Sequence, residues 1–321
     1  MGQYIIRRLL QAIPLLLFIS VLMFILLHLL PGGPEQVYDN PQLDAAGRAA
    51  LRASMGLDDP LPVQYIKWIT NAFTGNFGTS FATGQPVIGI IGQRFPATLE
   101  LFLSSFILSL ILALVLGTVS AVAQGRITDY AITTLTYFGI SMPTFLFGLF
   151  LQSIFGVTLH WLPTSGTATL DVAFATPFDY FLDHVLHLFL PMIVLSLLFT
   201  ARWSRYLRAG MVDVIRQDYI RTGRAKGVPP STLLMRHALR NAVIPLVTIV
   251  AIDFGAVAGG ATVTEGVFNW PGMGLLFLQS IDRRDYPILM AMLLLGGSLV
   301  ILFNLIADML YGVMDPRIRY T

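Results

Sequence analysis

The run LLQAIPLLLFISVLMFILLHLL, residues 9–30, decides the broad class of this chain. It contains no Lys, Arg, Asp or Glu, and a helix of that length extends about 33 Å, enough to cross the hydrocarbon core of a bilayer. Arg7 and Arg8 precede it, as in a signal peptide, but the run is longer than a signal core and ends in PGGP at 31–34 without a cleavage motif. We therefore predict a retained first transmembrane helix.

The composition of the whole chain agrees with a membrane protein. Of its 321 residues 55% are hydrophobic and only 12% are charged, which is about half the charged share of soluble domains. The chain has no cysteine, so disulfides, thiolate catalysis and cysteine-ligated metals are excluded. The net charge of +2 is small, so the distribution of basic residues tells more than their sum.

Long apolar stretches predict an all-α integral membrane protein with about six transmembrane helices, because irregular backbone is not tolerated in hydrocarbon. Pro143 predicts a kink in the third stretch, and the small residues at 255–261 predict that the fifth packs closely inside the bundle. A shorter helix is expected near Leu61–Phe73. The run Leu275–Leu278 is too short to span and should lie at the interface or fold back into the bundle. The six stretches lie at about residues 9–30, 97–123, 130–157, 185–201, 243–264 and 288–311.

The distribution of Lys and Arg predicts the orientation. With the N-terminus inside, 14 of the 20 basic residues fall on inner segments and 6 on outer ones, as the positive-inside rule requires. Both termini are then cytoplasmic. We predict an N-terminal helix with an extracytoplasmic segment at 1–93, a transmembrane domain at 94–311 with one large inner segment at about 202–242, and a cytoplasmic tail at 312–321.

The inner segment contains two features of interest. Arg202, Arg205 and Arg208 recur every three residues on one helix face, and we predict that they extend to anionic lipid headgroups. The stretch DYIRTGRAKGVPP at 218–230 predicts a short helix that ends at Gly227, since glycine is a common helix cap and two prolines follow. A short helix of this kind suits docking against a soluble partner.

The same stretch carries a family resemblance. RTGRAKG at 221–227, followed by RHALRNA at 236–242 and Pro245, resembles the coupling-loop signature of permeases of binding-protein-dependent ABC importers, most closely the dipeptide/oligopeptide branch. Further motifs match in order along nearly the whole chain, including GNFGTS at 75–80 and EGVFNWPG at 265–272. One departure is Gly223, where that branch commonly has alanine, and glycine weakens a helix by up to about 1 kcal/mol.

The resemblance implies the type I ABC importer fold and a permease subunit that forms half of a peptide pathway. It implies a second homologous permease, two cytosolic ATPase chains that bind ATP and Mg, an extracytoplasmic binding protein and the lipid membrane as partners, with no cofactor in this chain and no nucleic acid. Glu265, Trp270 and Asp285 become candidates in the extracytoplasmic loops. The implied ATPase-coupling residues are Tyr219, Arg221, Thr222, Gly223, Arg224, Ala225, Lys226 and Gly227.

Catalytic motifs are absent from the sequence. Gly255 to Gly260 has the glycine spacing of a phosphate-binding loop, but Ala261 stands where the lysine belongs. ATP hydrolysis is therefore expected in another chain, and this one is predicted not to be an enzyme. His184 and His187 near Asp183 suggest a metal site. We favour the interpretation that the two histidines lie at the start of a helix and are hydrated there.

Asp253 lies well inside the fifth apolar stretch, where a charge is expensive. It is a candidate for the translocation pathway, and a structural hydrogen bond to a neighbouring helix is an equal alternative. A self-sufficient secondary transporter using Asp253 as its coupling acid is a different hypothesis for the whole protein, as is an intramembrane enzyme. Glutathione-like peptides and nickel chelates are alternative substrates.

Overall fold

The computed structural model describes residues 2–29, 56–170, 172, 174–255 and 260–314, together with positions 46, 49 and 53. Within these ranges the chain is helical apart from its loops, and extended pairing is limited to an isolated bridge between Thr79 and Pro86. The helices are α1 (Gly2–Leu29), α2 (Leu61–Phe73), α3 (Val87–Val122), α4 (Ile127–Ser141), α5 (Thr144–Leu151, continued as a π-helix by Gln152–Thr158), α6 (Pro177–Ile215), α7 (Asp218–Ala225), α8 (Pro230–Phe254, π-helical at Leu233–Leu239), α9 (Thr262–Val267), α10 (Met273–Asp282) and α11 (Tyr286–Met314).

The helix lengths agree with about six membrane spans. In the described part of the chain α1, α3, α6, α8 and α11 are long and apolar enough to cross a bilayer, and α4 with α5 adds a sixth if the bent pair is one span. That bend is 102° and divides the stretch for which a kink at Pro143 was predicted into two helices. Its cause is local: Pro143 forces Met142 into an extended conformation (φ −81°, ψ 123°), so α4 ends before it and α5 starts after it.

The fifth span differs from its predicted bounds. The apolar stretch at 243–264 was expected to be one helix, but α8 ends at Phe254 and α9 is a separate short helix. Glycine stands at both described edges of the break: Gly255 caps α8, and Gly260, two residues before α9, has φ +71°, a left-handed conformation that does not continue an α-helix. Residues 256–259 lie outside the described residues, so the predicted close packing of the small-residue run stays a prediction.

The chain divides into two compact units, and the first comprises Met1–Thr98, Ala258–Thr262 and Pro271–Leu302. Its core joins the first outer loop to α10 and α11: Phe77 and Val87 pack with Met273, Leu276 and Ile288. Within the run Leu275–Leu278, Leu276 is buried in this core and Leu278 is exposed, so the choice between the interface and the bundle stays a prediction. The predicted helix at Leu61–Phe73 is confirmed with the same bounds.

The second unit comprises Leu99–Val257, Val263–Trp270 and Phe303–Thr321, and α6 is its central helix, with α4, α5 and α8 packed on it. Small residues allow these close approaches. A Cβ on Gly117 of α3 would lie 2.8 Å from the carbonyl oxygen of Ser204, and one on Gly210 would lie 3.1 Å from that of Ala242. Because neither unit is one continuous stretch of chain, the predicted boundary between residues 93 and 94 stays a prediction.

Candidate functional site

The inner segment between α6 and α8 is a short helix with a glycine cap. Gly227 has φ +78°, as the sequence predicted, and its N–H donates to the carbonyl of Arg224 at 3.1 Å. The N–H of Val228 donates to the carbonyl of Gly223 at 3.1 Å, which completes a Schellman motif. Gly227 lies two residues after the end of α7 at Ala225, and the cap turns the chain toward Pro230, where α8 begins.

One buried side chain and two contacts with α8 fix α7. The buried side chain is Ile220, which is 3% exposed. Gly223 lies over Leu233 so closely that an added Cβ would be 2.7 Å from Leu233 Cδ2, which explains a glycine inside this helix. The hydroxyl of Tyr219 accepts a hydrogen bond from Asn241 Nδ2 at 2.9 Å. The short helix is therefore fixed to a membrane span.

The outward face of α7 is exposed and basic. The Arg221 side chain is 78% exposed, and its contact with Asp218 at 3.8 Å is too exposed to contribute much stability. A cavity of about 490 Å³ nearby is lined by Arg236, His237 and Arg240. This surface suits an acidic partner. The exposed coupling candidates are Tyr219, Arg221, Thr222, Arg224, Ala225, Lys226 and Gly227.

Asp253 is buried, 8% exposed, and both of its carboxylate oxygens accept hydrogen bonds from α6. Arg202 Nη1 donates to Oδ1 at 2.8 Å, and Trp203 Nε1 donates to Oδ2 at 2.8 Å. The structure thus contains the hydrogen bond to a neighbouring helix that was one of the two alternatives. Arg202 is half exposed and lines a cavity, so the Arg202 side chain separates the Asp253 carboxylate from that cavity.

A second ion pair was missed by the sequence analysis. Asp129, at the start of α4, accepts from Arg208 Nε at 2.7 Å and from Arg208 Nη2 at 2.7 Å, and also from Ser120 and the N–H of Gly125. The sequence contains a feature that predicts this pair. An acid lies at the predicted inner end of one span and arginines lie at the predicted inner end of another, and arginine and carboxylate groups favour bidentate pairing.

The predicted extension of the three arginines to lipid headgroups is wrong for two of them. Arg202 and Arg208 each bind an aspartate, because the nearby carboxylates are buried and a buried carboxylate needs a partner. The third, Arg205, places its guanidinium carbon 4.5 Å from the ring centroid of Tyr137. This contact leaves the charge of Arg205 without a carboxylate partner among the described residues, so its predicted extension to lipid headgroups stays a prediction.

The outer-loop candidates are all buried. Asp285 is 1% exposed and accepts hydrogen bonds from Ser80 Oγ (2.5 Å) and from the N–H groups of Phe81 (3.1 Å) and Ala82 (3.2 Å). Glu265 and Trp270 are 0% exposed, and the Trp270 N–H donates to the Glu265 carbonyl at 2.8 Å. These side chains shape the outer loops from within and present no surface to a partner.

The comparisons with known proteins agree with this geometry. Residues 113–320 match the family described as "Binding-protein-dependent transport system inner membrane component", and residues 1–102 match its N-terminal companion. The chain belongs to this family. It is a permease subunit of an ABC importer, in the branch that the sequence motifs indicated.

Relatives of this permease cover its full length. The oligopeptide transport system permease protein AppB of Bacillus subtilis is 44% identical over 321 residues, and the glutathione transport system permease protein GsiC of Salmonella typhimurium is 41% identical over 320, each covering 100% of both chains. A chain of the MetNI methionine ABC transporter, solved in inward facing conformations, superposes with a TM-score of 0.56 at 16% identity over 71% of this permease and 97% of that chain. The predicted fold class is confirmed.

Two alternatives lose their basis. A self-sufficient transporter with Asp253 as coupling acid is not supported, because the chain is an importer permease and Asp253 is paired with Arg202 and Trp203. The metal suggestion at α6 also fails on geometry. His184 Nε2 contacts Glu100 at 2.7 Å and its Nδ1 contacts the Thr167 carbonyl at 2.8 Å, so both nitrogens have partners. His187 is 6% exposed, so the expected wetted helix start is wrong for this residue.

Proposed function

We propose that this permease forms half of the translocation pathway of an ATP-driven importer of peptides, and that α7 transmits force from separate ATPase chains to the spans. The observation that carries the proposal is the capped, basic helix α7, exposed on one face and fixed to α8 on the other. The full-length likeness to permeases named for oligopeptide and glutathione transport supports the peptide class, with glutathione-like peptides inside it.

The assembly follows from this role. A second homologous permease would enclose the pathway, an extracytoplasmic binding protein would deliver the peptide, and two ATPase chains would bind ATP and Mg and dock on α7. This chain supplies a path and performs no covalent chemistry. ATP-driven movement of the ATPases shifts the population between inward-facing and outward-facing bundles.

The position of α7 explains how force could reach the spans. Two residues separate the end of α6 at Ile215 from Asp218, and Gly223 lies against Leu233 in the first turns of α8. A displacement of α7 therefore acts on two spans of the second unit together. Exposed Arg221, Arg224 and Lys226 give the docking face a positive charge that suits acidic side chains on an ATPase.

The test is a pair of substitutions at Gly227 in the reconstituted importer. Gly227→Val places a β-branched residue at φ +78°, which costs on the order of 1–2 kcal/mol, whereas Gly227→Asn is tolerated there. A Cβ at this position meets no atom within 4 Å, so the two variants differ in backbone strain rather than in steric clash. We expect Gly227→Val to lower stimulated ATP hydrolysis and peptide uptake together by several-fold, and Gly227→Asn to retain both.

Docking of the binding protein and assembly of the complex serve as controls, since both should persist in each variant. If Gly227→Val assembles and retains wild-type stimulated hydrolysis and uptake, the proposed coupling role is wrong.

The proposed orientation, with both termini cytoplasmic, is tested by cysteine labelling in this cysteine-free chain. Leu170, 85% exposed in the loop after α5, is predicted outside, and exposed Ser231 at the start of α8 is predicted inside. An impermeant thiol reagent added to intact cells should label Leu170→Cys and spare Ser231→Cys. The reverse pattern would invert the orientation and remove α7 from the cytosol.

A further inference from the structure

A cavity of about 530 Å³ lies between α4 and α6 in the second unit, and the coupling role does not use it. Most of the side chains that line it carry a hydrogen-bond donor. The side chains that line it include Thr133, Tyr137, Arg202, Arg205, Tyr206 and Arg208.

The charge of the cavity is positive. Arg202 and Arg208 are balanced by Asp253 and Asp129, so these two pairs contribute no net charge. Arg205 rests on the Tyr137 ring, and among the residues that the structure describes no carboxylate lies within ion-pair distance of it. The cavity therefore offers one uncompensated guanidinium beside hydroxyl groups, a donor set that matches the oxygens of a phosphate or a carboxylate.

The position of the cavity along α6 selects between these anions. The apolar stretch of α6 ends at Ala201, and Arg202 to Arg208 cover roughly 9 Å of helix immediately beyond it. That is the depth of the phospholipid headgroups at the edge of a hydrocarbon core about 30 Å thick. The donors thus lie level with lipid phosphates on the α7 side of the membrane, which the proposed orientation makes the inner leaflet.

The helix faces that form the cavity continue as apolar surface toward the membrane centre. Leu198 lies one turn before Arg202 on the same face of α6 and is 40% exposed. On α4, Ile140 lies one turn beyond Tyr137 and is 39% exposed. An occupant with a charged head in the cavity and a hydrocarbon chain below it matches both parts of this surface.

We propose that the cavity binds the phosphate of an anionic phospholipid, with Arg205 as the main charged contact and an acyl chain along Leu198 and Ile140. The proposed lipid site does not depend on which substrate is transported or on the coupling role of α7, because neither proposal uses Arg205, Leu198 or Ile140. It depends on the proposed orientation only for which leaflet supplies the lipid.

Native mass spectrometry of the full-length permease, purified with any subunits that remain bound, tests this site. Phosphatidylglycerol and phosphatidylcholine with the same acyl chains are titrated separately, and the dissociation constant of the first bound lipid is measured. We expect phosphatidylglycerol to bind roughly fivefold more tightly, the factor that a single basic residue typically contributes. Arg205→Gln should abolish this preference, and Arg205→Lys, which keeps the charge, should retain most of it.

Arg216→Gln is the matched control, because Arg216 is an exposed arginine of the same α6 end whose side chain contacts only Gln124 at 3.2 Å among described residues. It should leave the preference within twofold of wild type. Equal binding of the two lipids, or equal loss of preference in Arg205→Gln and Arg216→Gln, would overturn the site. Displacement of phosphatidylglycerol by millimolar inorganic phosphate or trialanine would also overturn it, since the cavity would then bind a soluble anion without an acyl chain.

Discussion

The outer loops and the inner segment of this permease use their polar residues in opposite ways. In the loops predicted to lie outside, Asp285 is 1% exposed and Glu265 0%, and Asp285 binds hydroxyl and N–H groups of the first outer loop. In the segment predicted to lie inside, Arg221 is 78% exposed and the shape of α7 comes from the backbone of Gly227 and one buried side chain, Ile220. The buried acids of the predicted outer loops stabilise the loop structure, whereas the exposed side chains of α7 themselves form a surface.

This difference separates global from local effects of substitution. Loss of a buried acid leaves several donors unsatisfied and should weaken the whole first unit. Loss of an anchor in a short exposed helix should release that helix alone, because few buried contacts hold it. The three predictions that follow test this separation.

The largest effect is expected for Asp285→Ala. The substitution removes the acceptor for Ser80 Oγ and two N–H groups, and each unsatisfied buried donor costs about 1–3 kcal/mol. We expect a loss of about 3 kcal/mol or more and a melting temperature roughly 6 °C lower in detergent. Asp282→Ala, which removes an exposed acid at the end of α10, should change the melting temperature little. A melting temperature unchanged in Asp285→Ala would contradict the structural role of this carboxylate.

A smaller and local effect is expected for Ile220→Ala. The buried isoleucine anchors α7, and its truncation should cost about 2 kcal/mol. Amide hydrogen exchange within Asp218–Ala225 should accelerate roughly thirtyfold, while the melting temperature changes by no more than about 2 °C. Arg221→Ala, on the exposed face, is the control and should leave exchange nearly unchanged. A fall in melting temperature as large as that of Asp285→Ala would show that α7 is not an independent local unit.

The smallest change in stability is expected for Asp253→Asn. The amide oxygen can still accept from Trp203, and Arg202 is half exposed and can bind water, so we expect a loss of about 1 kcal/mol and an intact complex. Uptake should still fall, because Asp253 is a candidate for the translocation pathway and its neutralisation leaves the positive charge of Arg202 uncompensated. Asp213→Asn, an exposed acid on α6, is the matched control. Uptake equal to wild type would assign Asp253 a purely structural role.

Features with a local cause could be predicted from the sequence. The spans follow from apolar length, because the bilayer sets how many residues a helix needs. The bounds of α2 follow from Pro60 before it and the Thr74-Gly75 turn after it. The left-handed backbone of Gly227 follows from a glycine at the end of a short helix, two residues before a pair of prolines.

Features with a distant cause could not be predicted. The partners of Asp285 lie about 200 residues earlier in the chain, so its burial has no local signature. The sequence shows a proline at 143 but not a bend of 102°, since the angle depends on packing such as that of Gly139 against Leu197. The sequence shows that Arg208 is a cation at the end of a span. That it binds Asp129 rather than a lipid headgroup depends on how α4 packs against α6, which the sequence does not show.

The length of α6 has a mechanical consequence. Its 39 residues extend roughly 58 Å, about twice the thickness of the hydrocarbon core, so one element reaches well into both aqueous phases. A tilt of only 5° about its midpoint moves each end by roughly 2.5 Å in opposite directions. That distance is enough to break a hydrogen bond between α6 and a neighbouring segment, such as that from Thr169 Oγ1 to Asp183, and it leaves the side chains near the pivot almost stationary. A small displacement of the α6 end that leads to α7 therefore moves the opposite end of α6 by a similar distance in the opposite direction.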